Sequence, residues 1–431
     1  MAKAIVIAAP SSGSGKTVVT LGILRALRNR GLKVASAKVG PDYIDPRFHE
    51  AATGRPCFNL DPWAMSDGTL ACYLRHLAGD ADTIVIEGVM GLFDGPACGG
   101  SSTADLAARF NLPVALVIDC GSMGQSVAAI ARGFGETAGI DRIATLILNK
   151  VASDKHERIL CGALGDEWSV LGGLRRDAAL ALPSRHLGLV QASERSDLEE
   201  FLEKAASLAD RSLNLDGFLG LARTPKIRHP VSRPFAALGT NIAVASDIAF
   251  AFAYPHMLHD WEVGGATISR FSPLADEPPD ESADAIFLPG GYPELYAERL
   301  STCSGFLDGL RLAAKRGALI YGECGGFMVL GDYIIDKDGR KRAMAGLLPL
   351  GTSFADRKLH LGYRILEPLS GAPFPLPMRG HEFHYSMIDW QGEADPLFEA
   401  SDASGTGLGK IGLRRANVMG SYAHVIAPES E

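Results

Sequence analysis

Ala4-Ile-Val-Ile-Ala-Ala-Pro-Ser-Ser-Gly-Ser-Gly-Lys-Thr17 decides how the chain begins to fold. Five apolar residues run without alternation, as in a parallel strand covered on both faces. A small-residue loop follows, and from Lys16 to Arg30 the pattern becomes that of an amphipathic helix. Strand, glycine loop and helix in that order present backbone N–H groups at a helix start, where an anion is favoured. The strict phosphate-loop pattern asks for a glycine, four residues, then Gly-Lys-Thr, and Pro10 stands in the place of that first glycine. The context still fits a nucleotide phosphate site. Gly13, Ser14 and Gly15 would cradle phosphate, Lys16 would reach the β- and γ-phosphates, and Thr17 would ligate Mg²⁺. The bland alternative is a Gly/Ser turn with a solvated lysine.

The same rhythm continues outward. Val34 to Val39, Thr83 to Ile86, Val114 to Ile118 and Ile143 to Leu148 are further apolar runs separated by helical stretches. This is an α/β doubly wound pattern. Between about 222 and 240 it lapses into prolines among basic and polar residues, which predicts a linker over 226–240. A second α/β series starts at Asn241 to Ala245 and continues through 266–268, 285–288 and 318–321. A strand-like run from Val418 to Ile426 closes the chain. The expected organisation is a domain over 1–225, the linker, and a second domain over 241–431.

Carboxylates at strand ends are the candidates for holding Mg²⁺. Glu87 ends one run and Asp45 follows another, with Asp42 and Asp119 as alternatives, because Mg²⁺ takes hard oxygen ligands. Asn149, ending the Ile143 run, is placed to meet a purine edge.

The second domain carries Tyr321-Gly-Glu-Cys-Gly-Gly-Phe327 after an apolar run. Strand, sharp turn and helix with Cys324 at the apex is the form of a nucleophile elbow, and the helix amides would favour thiolate. A thiol nucleophile needs a base. His424 is one candidate, and His381 and His384 are the rivals. Oxyanion donors are expected from the Gly290-Gly291 loop, with Gly291 the one chosen, and from Gly325. The other cysteines, 57, 72, 98, 120, 161 and 303, lack such a setting and read as structural.

Composition narrows the class. A net charge of −8 without a basic block gives no support for nucleic-acid binding. Seven cysteines without regular spacing suit a reducing compartment better than a disulfide framework. No apolar stretch of about 18 residues suggests a membrane span, and no leader pattern is seen, so a cytoplasmic location is expected.

Taken together, the motifs resemble those of the cobyrinate/hydrogenobyrinate a,c-diamide synthase family of cobalamin biosynthesis. The resemblance runs through Ala9–Thr17, Lys38-Val-Gly-Pro-Asp-Tyr-Ile-Asp-Pro46, Asn59-Leu-Asp-Pro-Trp63 and Glu87-Gly-Val-Met-Gly-Leu-Phe-Asp-Gly95. It continues through Phe271-Ser-Pro-Leu-Ala-Asp276, Leu288-Pro-Gly-Gly-Tyr-Pro-Glu294, Gly322-Glu-Cys-Gly-Gly326 and Gly380-His-Glu-Phe-His-Tyr-Ser386. It implies a dethiobiotin-synthetase-like domain followed by a class I glutamine amidotransferase domain. It also implies ATP- and glutamine-dependent amidation of the a and c carboxylates of a corrin through acyl phosphates, with His424 as the partner of Cys324. Lys38, Asp42, Tyr43, Arg47 and His49 would meet the corrin polycarboxylate. Many glutaminases of this class carry an acid two residues after the histidine; here Ile426 stands there. The partners expected are small molecules, with a homodimer left open. The alternatives are an amidotransferase acting on another tetrapyrrole and a partitioning-type ATPase. The latter would carry a lysine where Ser11 stands, and would leave the thiol half unexplained.

Overall fold

The computed structural model describes residues 1–139, 142–181, 184–185, 188–228 and 235–429, with only the backbone of 184–185 and 188–189 considered. The chain divides into two compact units, Met1–Ser232 and Arg233–Glu431. Part of the predicted linker, residues 229–234, lies outside the described residues.

The first unit is a parallel sheet flanked by helices. In chain order it runs β1 (Lys3–Ala8), α1 (Lys16–Asn29), β2 (Val34–Val39), α2 (Asp45–Thr53), β3 (Cys57–Leu60), α3 (Asp67–Gly79) and β4 (Thr83–Glu87). It continues through α4 (Thr103–Phe110), β5 (Val114–Asp119), α5 (Val127–Ala138), β6 (Ile143–Val151), α6 (Asp154–Leu164) and β7 (Val170–Arg175). A small ladder of β8 (Ser184–Arg185) and β9 (Gly188–Leu189) precedes α7 (Leu198–Ser212) and α8 (Leu215–Leu221). The strand order is β3-β2-β4-β1-β5-β6-β7, all parallel. The loop after β1 therefore opens at the carboxyl edge beside the ends of β4 and β2, the usual ligand edge of such sheets. The apolar runs are buried throughout because helices cover both faces. The core joins β1, α1, α7 and α8 through Ile5, Ile7, Leu24, Leu202 and Phe218.

The second unit opens with β10 (Asn241–Ala245), α9 (Pro255–Val263), β11 (Thr267–Phe271), β12 (Ala285–Leu288), α10 (Ala297–Leu300), α11 (Ser304–Lys315), β13 (Leu319–Glu323) and α12 (Gly325–Leu330). The pairing then becomes mostly antiparallel. The strands are β14 (Tyr333–Ile335), β15 (Lys341–Ala343), β16 (Leu350–Ser353), β17 (His360–Pro368), β18 (Met378–His384), β19 (Met387–Gln391), β20 (Phe398–Asp402) and β21 (Gly407–Ile411). β22 (Leu413–Arg415), β23 (Val418–Ser421) and β24 (Ala423–Pro428) follow. Among these, β14 and β16 are parallel to each other. A six-stranded sheet has the order β11-β10-β12-β13-β23-β22, and a five-stranded one the order β21-β20-β17-β18-β24. The strand predicted over 418–426 is in fact two. β23 lies beside β13 in the first of these sheets, and after Tyr422 the chain enters the second as β24. That crossing carries His424 to the neighbourhood of Cys324. Among the described residues, no helix is long and apolar enough to cross a membrane.

Candidate active sites

At the phosphate loop, Gly13 and Gly15 hold φ of 79° and 83°, the left-handed region that glycine adopts without cost. A Cβ on Gly15 would overlap the Asn149 amide, so side chain and loop are in van der Waals contact. Asn149 Nδ2 donates to the Ser14 carbonyl at 2.8 Å. That bond uses one of the amide's two N–H groups, so bracing the loop and meeting a purine edge are compatible roles. Asn149 also lines a cavity of about 570 Å³ with Gly15, Lys16, Arg176 and Asp177. The last two were not singled out from sequence. Ser14 Oγ donates to the Ser11 carbonyl, and Lys16 Nζ to that of Met90. Burial, with Lys38 second, lowers the Lys16 pKa.

The carboxylates converge as the parallel register dictates, with Lys38 on β2 beside Glu87 on β4. Thr17 Oγ1 lies 2.7 Å from Glu87 Oε1 and 3.2 Å from Asp45 Oδ2. Lys38 Nζ donates to the same two oxygens at 2.8 and 2.5 Å. Asp45 Oδ1 is buried without a hydrogen-bond partner. A hydroxyl, two carboxylates and an orphaned carboxylate oxygen form a hard donor set that fits Mg²⁺. Burial, then Asp42, pushes Asp45 up to about 6 against the pull of Lys38. Burial would also raise Glu87, yet Lys38 and His49 hold it far below the usual carboxylate range.

Two residues expected to face the corrin point elsewhere. Lys38 is sealed and paired with Asp45 and Glu87. His49 is fully buried, its Nε2 2.7 Å from Glu87 Oε2. Both are closed off because β2 and α2 turn their side chains into the carboxylate cluster. Asp42 Oδ1 accepts the N–H groups of Ile44 and Asp45, forming the turn that begins α2. Arg47 pairs with Glu50, and Tyr43 is buried. Asp119 is bonded to Lys150, whose Nζ also donates to the Gly13 carbonyl of the phosphate loop.

In the second unit Cys324 sits at φ 47°, ψ −103°, a strained conformation of the kind an elbow imposes. Gly322 and Gly326 have ordinary φ; they are needed for space. A Cβ on Gly322 would press on the backbone of Gly326, and one on Gly326 would overlap the Leu288 carbonyl. Cys324 N–H donates to Ser421 O at 2.8 Å, and Sγ lies 3.8 Å from Phe383 O. A Cβ on Gly325 would stand 3.0 Å from Gly291 N and touch Pro293, while one on Gly290 would overlap His424 Cε1. The loop 290–293 thus has Gly325 on one side and the His424 imidazole on the other.

Cys324 is buried, at 3% exposure. Burial raises its pKa above the ordinary value, Glu294 raises it further, and the Gly325 N–H offsets only part of this. The thiolate predicted from helix amides is not the resting state, because a six-residue helix is outweighed by burial and nearby carboxylates. Burial, with His381 and His384, lowers His424 to about 3, so its imidazole is neutral at rest. Of the rival histidines, His384 is bonded through Nε2 to Glu382 at 2.7 Å and stacked on Tyr422, and His381 lies against Tyr363. His360, Glu382 and His384 converge closely enough for a metal. However, the two rings are stacked at 5°, so their lone pairs run parallel, and Arg364 already holds Glu382 at 2.7 Å.

Sequence reasoning passed over three carboxylates: Glu294, Glu323 and Glu382. Glu323 offered the same signal as Glu87, an acid ending a buried strand.

Residues 5–190 match the CobQ/CobB/MinD/ParA nucleotide binding domain, and residues 241–431 the CobB/CobQ-like glutamine amidotransferase domain. A parallel nucleotide-binding sheet joined to such a domain defines the class: a glutamine amidotransferase enzyme with its own nucleotide site. Hydrogenobyrinate a,c-diamide synthase of Sinorhizobium sp is 54% identical over 425 residues, covering 98% of each chain. Those of Brucella anthropi and Rhodobacter capsulatus are 53% and 48% identical, over 98% and 99% of each chain. The chain belongs to the hydrogenobyrinate a,c-diamide synthase family.

Proposed function

We propose that this enzyme amidates the a and c carboxylates of a corrin, using ATP to activate each carboxylate and glutamine as the nitrogen source. The end-to-end likeness to hydrogenobyrinate a,c-diamide synthases carries this reading, and the two sites support it. A carboxylate is a poor electrophile, so ATP must provide a leaving group as an acyl phosphate, which ammonia then displaces. Gly13, Ser14, Gly15 and Lys16 would hold the phosphates, and Lys16 would offset charge on the transferred group. Thr17, Asp45 and Glu87 would hold Mg²⁺, which when bound supplies positive charge against the phosphate oxygens. Asn149 keeps the loop in shape. Tyr43, Arg47 and Asp42 remain as candidates for the corrin, whereas Lys38 and His49 act on the carboxylate cluster.

In the glutaminase half, Cys324 Sγ would attack the side-chain amide of glutamine and His424 would take and return the proton. The N–H groups of Gly291 and Gly325 would receive the oxyanion.

The test is a paired assay of purified protein with ATP, Mg²⁺ and glutamine, offering hydrogenobyrinic acid and cobyrinic acid separately and reading product masses. Two amidations of hydrogenobyrinic acid are expected. No mass change with either substrate would reject the corrin reading and leave another tetrapyrrole as the substrate class.

A further inference from the structure

We propose that Glu323, the residue before the nucleophile, is the positioning carboxylate of the thiol site, holding His424 in the tautomer whose Nε2 can accept the Cys324 proton. This rests on the glutaminase reading above. The place two residues after the histidine belongs to Ile426, a buried apolar side chain that cannot orient an imidazole. Glu323 reaches the histidine from the other side. β13 and β23 pair in register through Glu323 and Ser421, and the chain turns at Tyr422 into β24. Glu323 Oε1 accepts the Val425 N–H at 3.0 Å, which ties the carboxylate to the residue next to the histidine. Glu323 Oε2 then lies 3.8 Å from His424 Nδ1. Both side chains are sealed from water, at 1% and 0% exposure.

This distance is longer than a hydrogen bond, and catalytic contacts in unliganded enzymes often tighten only with substrate bound. An ionised Glu323 accepts Nδ1–H and leaves Nε2 bare. A protonated Glu323 would donate to Nδ1, put the ring proton on Nε2 and disable the base. The step balances as follows. Sγ bonds to the amide carbon as its proton passes to Nε2, and the imidazolium forms facing the Glu323 carboxylate. That proton goes to the departing nitrogen as the C–N bond breaks, releasing ammonia. Water then cleaves the thioester, giving glutamate and restoring the thiol.

Burial raises Glu323 to about 8, against the pull of the Val425 N–H and of Tyr321 on its own strand. Cys324 and His424 are the other titratable groups facing it. Glutaminase turnover should therefore climb as pH rises through about 8.

The experiment measures kcat and KM for glutamine against pH in the full chain, with Glu323→Gln and Glu323→Asp beside the unaltered protein. Glu323→Gln should lose about tenfold or more in kcat, keep KM within about twofold, and lose the limb. Glu323→Asp should keep a limb with reduced kcat. Ammonia-supported synthesis unchanged in the variants shows that they are folded. Glu323→Gln with unaltered kcat and the same limb overturns the proposal, while loss of all glutamine-dependent activity in Cys324→Ser leaves the glutaminase reading standing. Should Glu323→Gln fail to fold, ¹⁵N spectra of His424 decide. A ring protonated on Nε2 above pH about 8 in the unaltered protein would overturn the assignment.

Discussion

Lys38 Nζ lies 2.8 Å from Glu87 Oε1, the same oxygen that lies 2.7 Å from Thr17 Oγ1. The ammonium thus stands at the oxygens we assign to Mg²⁺, as an internal cation for two buried carboxylates. Burial works against its charge, but Asp45, Glu87 and Asp42 outweigh it and raise Lys38 above its ordinary value. Removing one member of a buried ion cluster leaves uncompensated charge, at a cost of about 3–5 kcal/mol. Lys38→Met should therefore lower the melting temperature sharply in chelator, and added Mg²⁺ should restore more stability to the variant than to the parent. Equal shifts in both would show that Asp45 and Glu87 are not where the ion binds.

The first unit was legible because parallel strands buried on both faces read as unbroken apolar runs, as at 4–8 and 114–118. β3 and β7 were passed over. One is four residues long, and the other carries Gly172 and Gly173, which dilute the apolar signal. The antiparallel strands were missed for a different reason. In β17 the four residues Gly362 to Ile365 are all half-buried and the apolar Ile365 and Leu366 stand side by side, so the alternation that marks a half-buried strand is blurred. No Gly or Pro marks the break at Tyr422, and so β23 and β24 read as one. The phosphate loop and the elbow were visible because their chemistry is local. The placement of Lys38, His49 and Glu323 was not, since each is decided by a partner on another strand or helix.

Cys324→Ser should abolish glutamine-dependent amidation and leave ammonia-dependent synthesis intact, because the thiol serves only to release nitrogen. Lys16→Ala should do the reverse, losing synthesis with either nitrogen source while keeping basal glutaminase. Product mass and glutamate release, measured on the same preparations, separate the two. Equal loss of both activities in either variant would argue against separate sites, and full synthesis in Lys16→Ala would mean that the nucleotide binds elsewhere.

Gly290→Ala is a narrower probe of the thiol site. The added Cβ would occupy the space of His424 Cε1, so the imidazole must move. A displacement of about 1 Å at a catalytic group can cost on the order of a hundredfold. Glutaminase kcat should fall by that order, with ammonia-dependent synthesis close to the parent and a melting temperature lowered by the overpacking. Parental glutaminase activity would show that His424 does not serve as the base from the position it occupies here.

Glu382 gives the second unit a dependence on acid whose sign follows from its neighbours. Burial would raise its pKa, but His384, bonded at 2.7 Å, and Arg364 lower it from 4.5 to about 2. A carboxylate depressed in the folded state contributes stability above its unfolded value, and that contribution is lost as pH falls through the folded one. The stabilisation should be complete above pH about 4.5 and fade towards about 2. Glu382→Gln should thus be less stable than the parent in urea at neutral pH, and the two midpoints should approach each other as the buffer is taken down through that window. A gap that stays constant with pH would mean that the glutamine disturbs packing around Tyr422 and His384, and that the ion pairs contribute little.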